Sequence, residues 1–331
     1  MKIRNKWMFK LTLVIFVFIT AGRGIQAQNA GVSLHNTVLI DETNQNDPYE
    51  SKFFRVRGAP QIIVKTIFGD ITVIENPDLG GVQVDLYVER SFSLWSGTRS
   101  LDNYRIVMFQ RGDQIIASIE DRRPGSSRQR GDVRFHFVLQ VPSKASVELR
   151  SVHGMIALEG TEGSHFVQNQ SGDLIITGAR GEIRAVSTTG NIELTGLSGN
   201  IFAKTVNGNI HVDSNYGEVR VRTVTGNIIA SDMNGTLVSA TTSGNITADF
   251  LQVSQGIYME AVSGDINLTI PAIDGYEIQG RAMRFDLAGI SQGSISEQSQ
   301  TFRERKLVLR EGGLPVQLTT VSGLITVTET H

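Results

Sequence analysis

Hydrophobic and polar residues alternate along the chain in short segments that recur every nine residues. Between residues 154 and 244 a glycine occupies every ninth position, and an aliphatic residue follows most of these glycines two positions later. A second apolar or small residue then comes two positions further on. Such alternation predicts half-buried β-strands joined by glycine turns, and a fixed period predicts a repeat architecture. The glycines are Gly154, Gly163, Gly172, Gly181, Gly190, Gly199, Gly208, Gly217, Gly226, Gly235 and Gly244.

A second pattern doubles this period to 18 residues. Alternate glycines are followed by Asn or Asp, and the pattern shifts at Gly256 before it resumes at Gly264. This column is Asp173, Asn191, Asn209, Asn227, Asn245 and Asp265. The predicted fold class is all-β: a single-stranded β-solenoid (β-helix) of 18-residue coils, each made of two nine-residue strand–turn units, with irregular β caps at both ends. Stacked coils would rise by roughly 4.8 Å each.

The column of Asn and Asp has two interpretations. Gly and Asn tolerate positive φ where the chain reverses, and stacked Asn side chains can form hydrogen bonds from coil to coil. A structural corner ladder therefore explains the spacing. The alternative is a ligand or ion site, but calcium-binding nonapeptide repeats need paired glycines and an Asp in every unit, and Gly190-Asn191-Ile192 has neither.

The N-terminus has the pattern of a secretory signal peptide. A positively charged start precedes an apolar run over residues 11–19, and small residues lead to a predicted cleavage site after Ala27. The run is shorter than the roughly 20 residues of a spanning helix. We therefore expect export to the periplasm or to the cell surface and extracellular space, without a transmembrane segment after cleavage. The predicted organisation is a signal peptide over 1–27, a polar lead-in over 28–58, an N-terminal β region with longer strands over 59–150, the regular nonapeptide-repeat solenoid over 151–270 and a C-terminal β cap over 271–331.

Composition narrows the function further. The 331 residues include no Cys, which excludes disulfides, thiol nucleophiles and the usual structural zinc sites. The net charge is −2, and loss of the five positive charges of residues 1–27 would lower it to −7. A nucleic-acid binder would carry a basic excess, so no nucleic-acid partner is expected. The six histidines lie in no metal-ligand or catalytic spacing, and we predict no catalytic residue, cofactor or metal.

Several motifs resemble those of a known family. They are the opening Gly69-Asp70-Ile71-Thr72-Val73, the strand end Val141-Pro142, the tandem S/T-x-x-G-N-I units and the closing segment Thr320 to Val327. Over residues 59–329 the chain resembles the bacterial putative-adhesin family. This resemblance implies an exported or envelope β-solenoid domain and transfers no catalytic residues.

One group of basic residues is a candidate ligand face. Arg184, Lys204, Arg220 and Arg222 occupy outward positions of adjacent predicted coils. In a chain near −7 they could bind an acidic glycan or a lipid headgroup, although a solvated outer face would explain them equally well.

Two functions follow from these patterns. The first is an exported, non-enzymatic, adhesin-like binding or structural module of the bacterial cell envelope. Its partner would be a glycan, another envelope component or a protein. The alternative is a carbohydrate-active β-helix enzyme, a polysaccharide lyase or hydrolase, whose acids come from residues 80–150 or 271–310.

Overall fold

Parallel β-strands dominate the protein. The computed structural model describes residues 47–330 except 91, 94–96, 99–100, 123–132 and 273. The predicted signal peptide and residues 28–46 of the predicted lead-in lie outside the described residues. The prediction of an all-β chain is confirmed, since a 3₁₀ turn at Gln292–Ser294 is the one helical segment in the described ranges.

The described strands are β1 (Glu50–Arg55), β2 (Gln61–Phe68), β3 (Ile71–Glu75), β4 (Gly81–Arg90), β5 (Phe92–Ser93), β6 (Gly97–Thr98), β7 (Tyr104–Arg111), β8 (Gln114–Asp121), β9 (Val133–Val141), β10 (Ser146–His153), β11 (Ile156–Glu159), β12 (Glu162–Ser171), β13 (Leu174–Thr177), β14 (Arg180–Val186), β15 (Ile192–Thr195), β16 (Ser198–Lys204), β17 (Ile210–Asp213), β18 (Tyr216–Thr225), β19 (Ile228–Ser243), β20 (Ile246–Ser263), β21 (Ile266–Pro271), β22 (Tyr276–Arg281), β23 (Arg284–Gly289), β24 (Ile295–Gln300), β25 (Glu304–Leu309), β26 (Leu314–Ser322) and β27 (Leu324–Thr330).

The parallel strands form two ladders. Ladder A contains, in spatial order, β3, β11, β13, β15, β17, the first part of β19, the first part of β20, β21 and β27. Ladder B contains β2, β10, β12, β14, β16, β18, the second part of β19, the second part of β20 and β26. The chain alternates between the ladders, which gives a solenoid-like β fold.

The register within each ladder matches the doubled sequence period. His165 pairs with Ile183, and Ile183 pairs with Ile201, an offset of 18 residues in both cases. At the sequence shift near Gly256 the offset becomes 20, because Leu237 pairs with Ile257. A register shift between Gly235 and Leu237 accommodates the two additional residues.

Alternation places the core between the ladders. Along β14, β16 and β18 the side chains of Ile183, Ile201 and Val219 are at most 2% exposed, and their neighbours along each strand face outward. The same holds in ladder A for Ile192 and Ile210. One continuous hydrophobic cluster contains both sets. The outward side chains of the two ladders therefore point away from each other.

The ends of the stack are interleaved. Strands β2 and β3 pair with β10 and β11 on one side, and with β8 and β9 on the other. At the other end β26 and β27 are enclosed in the same way, between β20 and β21 on one side and β22 and β23 on the other. Antiparallel strands then follow at both ends, including β1, which forms within the predicted polar lead-in. These strands cover edges that would otherwise expose backbone donors and acceptors.

Candidate binding face

Glycine permits the tight corner that separates ladder B from ladder A. At Gly208 φ is +156°, and a Cβ atom there would lie 2.0 Å from the carbonyl oxygen of Gly190 in the preceding coil. Gly190 and Gly226 are in the same situation. Only a residue without a side chain lets successive coils approach this closely at the corner.

The predicted corner column lies beside these glycines and connects the coils through the backbone. The N–H of Asn209 donates to Oδ1 of Asn191 at 2.9 Å, and the N–H of Asn227 donates to Oδ1 of Asn209 at 2.8 Å. The bonds therefore join a side chain to the next backbone, rather than one amide side chain to another. The remaining bonds of the column join the N–H groups of Asn191, Asn245, Asp265 and Leu324 to the side-chain oxygens of Asp173, Asn227, Asn245 and Asp265, respectively.

The four predicted ligand residues lie on the outward surface of ladder B, and all four are exposed. Lys204 and Arg222 are direct register partners in adjacent coils. Arg184 and Arg220 belong to a neighbouring column, in which Phe202 lies between them. The structure thus brings the four together on one surface that spans β14, β16 and β18.

Aromatic rings separate the cations in this column. The guanidinium carbon of Arg184 lies 4.6 Å from the ring centroid of Phe202, which is cation–π geometry. Arg150 lies 4.9 Å from the ring of Phe166 on the next strand, diagonally across the ladder, because the register partner of Phe166 is Glu148. A guanidinium that contacts a ring through its face keeps its N–H donors for a ligand.

Acidic side chains neutralise some of these cations. Glu218 forms an ion pair with Arg220 at 2.5 Å, and Glu148 forms one with Arg150 at 2.9 Å. Within the described ranges Arg184, Lys204 and Arg222 have no ion pair. These three therefore carry the uncompensated positive charge of the surface.

Sequence reasoning missed two members of this surface. Arg150 on β10 and Lys65 on β2 are register partners of each other and lie on the same outward side as Lys204. Arg150 precedes the first glycine of the regular repeat but has the outward parity of its strand, which is the signal that could have identified it. Lys65 joins the surface through the interleaving of β2, for which the local pattern gives no signal. We call Lys65, Arg150, Arg184, Lys204, Arg220 and Arg222 the basic face.

Ladder A has the opposite charge. Among the described residues, the strand segments that make up ladder A contain no Lys or Arg. Glu159, Glu193, Asp213 and Asp249 lie on its outward positions. On ladder B, strands β2 through β18 contain seven Lys and Arg against four Glu. The fold thus places these basic residues on the outward surface of ladder B and none on that of ladder A.

One titratable pair lies where ladder A meets the N-terminal strands. Nδ1 of His136 on β9 lies 3.2 Å from Oδ2 of Asp70, and Nε2 lies 3.5 Å from Oε2 of Glu89. The contact with Asp70 raises the pKa of His136, and the contact with His136 lowers the pKa of Asp70 against the effect of burial. The pair is distant in sequence from the basic face and serves the packing of the first coils.

The described residues include no group of three His, Asp or Glu side chains placed to hold a metal ion. None of the helices in the described ranges has the length and apolarity needed to cross a bilayer.

One family model matches the repeat region. Residues 167–328 match the family model described as Toastrack DUF4097. This Toastrack match begins in β12 and ends in β27, so it covers most of both ladders and all four predicted ligand residues. The resemblance to a putative-adhesin family of unknown function is confirmed. No protein of curated function matches the chain significantly.

Solved structures of similar proteins share low sequence identity with the chain. A putative adhesin from Bacteroides fragilis NCTC 9343 is 14% identical with a TM-score of 0.42, and the alignment covers 66% of this chain and 96% of that one. A putative adhesin from Parabacteroides distasonis ATCC 8503 is 12% identical with a TM-score of 0.33 over the same shares. A putative cell adhesion protein from Clostridium sporogenes ATCC 15579 is 9% identical with a TM-score of 0.25, and covers 85% and 98%.

Proposed function

We propose that this chain is an exported, non-enzymatic, adhesin-like binding module of the bacterial cell envelope, built as a solenoid of 18-residue coils. In this proposal the basic face contacts an acidic glycan. The observation that carries it is the sorting of charge: ladder A has no Lys or Arg, while ladder B presents six of them in two columns on one surface.

The geometry of the face suits an extended polymer. Strands stack at roughly 4.8 Å, so side chains of one column repeat at that interval along the ladder. A linear polyanion laid along the columns would contact Lys204 and Arg222 in succession, and Arg184 and Arg220 beside them. Many weak charge contacts of this kind give an affinity that falls as ionic strength rises.

Substitution of the basic face tests the proposal. The variant Arg184→Ser/Arg220→Ser/Arg222→Ser and the parent are compared on a glycan array and on whole cells. The control is Arg57→Ser/Arg105→Ser/Arg303→Ser, which removes the same charge from exposed positions elsewhere. We expect the face variant to lose binding to acidic glycans while its unfolding midpoint stays within the range of the control. Binding by the face variant equal to that of the parent would contradict the assignment of the face.

A second measurement separates binding from catalysis. The parent is incubated with each polysaccharide that it binds, and new reducing ends and unsaturated products are followed over time. We expect neither to form. Their release would replace the binding role with a hydrolase or lyase.

A further inference from the structure

A cleft of about 370 Å³ opens at the C-terminal end of ladder B. Its walls come from β22, β24, β25, β26 and the turn between β24 and β25. The size lies at the lower end of the range for small-ligand sites, which run from about 300 to 1,000 Å³. The cleft is large enough for a sugar unit. It is concave, whereas the surface beside it is formed by the outward side chains of a sheet.

The cleft continues the outward surface that contains the basic face. Gln317 on its wall is the register partner of Tyr258, and Tyr258 is the partner of Val238. Val238 in turn pairs with Arg220. The column that carries Arg184 and Arg220 therefore runs directly to the cleft, and a chain bound along the column would place its end there.

The lining combines cations with amides and hydroxyls. Arg281, Arg305 and Lys306 contribute positive charge, and Glu304 is the single acid of the lining. Glu304 lies 3.7 Å from Arg281. An ion pair this long and exposed is weak, so the guanidinium of Arg281 can still bind a ligand. Lys306 has no ion pair among the residues that the structure describes.

Two glutamines flank these cations. Gln279 is the register partner of both Gln317 and Lys306, so the two amides and the ammonium group lie side by side across three strands. Ser299 follows on β24, opposite Lys306. Guanidinium and ammonium groups bind carboxylates, and amide and hydroxyl side chains form hydrogen bonds with sugar hydroxyls in either direction.

A tight turn fixes the outer wall. The N–H of Thr301 donates to the carbonyl of Glu304 at 2.8 Å, and the N–H of Glu304 donates to Oγ1 of Thr301 at 3.2 Å. Phe302, next to Thr301, is 90% exposed. An aromatic ring left in solvent beside a polar cleft is a surface on which the apolar face of a sugar can pack.

From this arrangement we propose that the cleft binds a carboxylate-bearing sugar, a uronic acid unit of an acidic glycan. Arg281 and Lys306 contact the carboxylate, and Gln279 and Gln317 contact ring hydroxyls. The inference rests on the proposed function, since it identifies the acidic glycan by its carboxylate and places one unit of it at the end of the face.

Calorimetry with a short ligand tests the cleft alone. The full-length protein is titrated with tetragalacturonate and with its methyl ester, which has the same sugar without the charge. We expect binding of the acid and at least a tenfold weaker affinity for the ester. Arg281→Gln and Lys306→Gln should each lower the affinity for the acid at least tenfold. Arg284→Gln, exposed on β23 and outside the lining, should leave it unchanged.

The same variants with long polygalacturonate distinguish the two proposals. If Arg281→Gln and Lys306→Gln bind the tetramer as the parent does, or if the parent binds acid and ester alike, the cleft proposal is wrong. Polymer binding that is then lost in Arg184→Ser/Arg220→Ser/Arg222→Ser would still support the basic face. Conversely, tetramer binding that depends on Lys306, with polymer binding indifferent to the face variant, would retain the cleft and overturn the face.

Discussion

The guanidinium of Arg310 lies 2.7 Å from the carboxylate of Glu329, whose side chain is fully buried. Arg310 also donates from Nε to the carbonyl of Asp274 at 2.8 Å. Arg310 directly follows β25, Glu329 lies at the end of β27, and Asp274 precedes β22. The pair thus joins the enclosed final coil to the coil that covers it.

Loss of this ion pair should destabilise the C-terminal end of the stack. In Glu329→Ala the guanidinium loses its charged partner at a site where the carboxylate is wholly excluded from water. Removal of one partner of a buried pair costs about 3–5 kcal/mol. We expect a loss of that order in the free energy of unfolding, measured by urea denaturation.

The exposed pair Arg281–Glu304 provides the control for this measurement. Both of its side chains are about two-thirds exposed, and their separation is 3.7 Å. Glu304→Ala should cost no more than about 1 kcal/mol. Equal losses for the two variants would show that burial does not determine the contribution of the Arg310–Glu329 pair.

Two glycines with positive φ should differ sharply in their tolerance of a methyl group. Gly208→Ala would place a Cβ atom 2.0 Å from a backbone oxygen that cannot move independently of the coil, whereas Gly196→Ala meets nothing within 4 Å. Gly196→Ala should cost only the backbone strain, about 1–2 kcal/mol. Gly208→Ala should cost more than this, and thermal unfolding of both variants measures the difference. A Gly208→Ala midpoint equal to that of Gly196→Ala would mean that the corner can widen.

The sequence period correctly predicted which side chains of each strand face the core. It predicted which strands pair with each other only inside the regular repeat. The aliphatic positions two residues after Gly190 and Gly208 are predicted to face inward, and Ile192 and Ile210 are buried. The enclosure of β26 was not predicted. Ile257 of β20 pairs with Val316 of β26, and alternation along a strand shows which side chains are buried but not which strand pairs with it. The 18-residue period also located the basic residues of ladder B. It gave no sign of the cleft, because the cleft depends on the antiparallel pairing of β22 with β25, which lies outside the repeat.

The corner column should contribute to stability through its side-chain oxygens. Asn209→Leu removes the acceptor used by the N–H of Asn227. The corner is exposed, so water can replace part of the bond, and we expect a loss of about 1 kcal/mol in the free energy of unfolding. Asn209→Asp keeps an acceptor, as Asp173 and Asp265 do in the same column, and should lose less. If the Leu variant is as stable as the parent, the side-chain oxygens of this column do not contribute to stability.

A buried histidine interrupts an aliphatic column of ladder B. His165 is 1% exposed and lies between Val147 and Ile183 in the register. Backbone groups of Thr161 and Arg180 lie near its ring, but neither ring nitrogen forms a hydrogen bond of good geometry among the described residues. An unsatisfied buried polar group costs about 1–3 kcal/mol. His165→Ile should therefore raise the free energy of unfolding at pH 7 by an amount in that range. A decrease would show that the imidazole has a partner that isoleucine cannot replace.

The pair formed by His136 and Asp70 should make stability depend on pH in a defined window. Because the pKa of His136 is raised, chiefly by its hydrogen bond with Asp70, the contribution is complete below the ordinary histidine value of 6.5 and is lost as pH rises through the raised value. The pKa of Asp70 is lowered, chiefly by the bond with His136, so the contribution is complete above 3.8 and is lost as pH falls below it.

The variant His136→Gln isolates this contribution. The difference in free energy of unfolding between parent and variant should be largest between about pH 4 and pH 6.5, and should shrink on either side. His165 acts in the opposite direction below pH 6.5, since burial lowers its pKa, but it is present in both proteins and cancels in the difference. A difference that stays constant from pH 4 to pH 9 would mean that His136 contributes by packing and not by its charge.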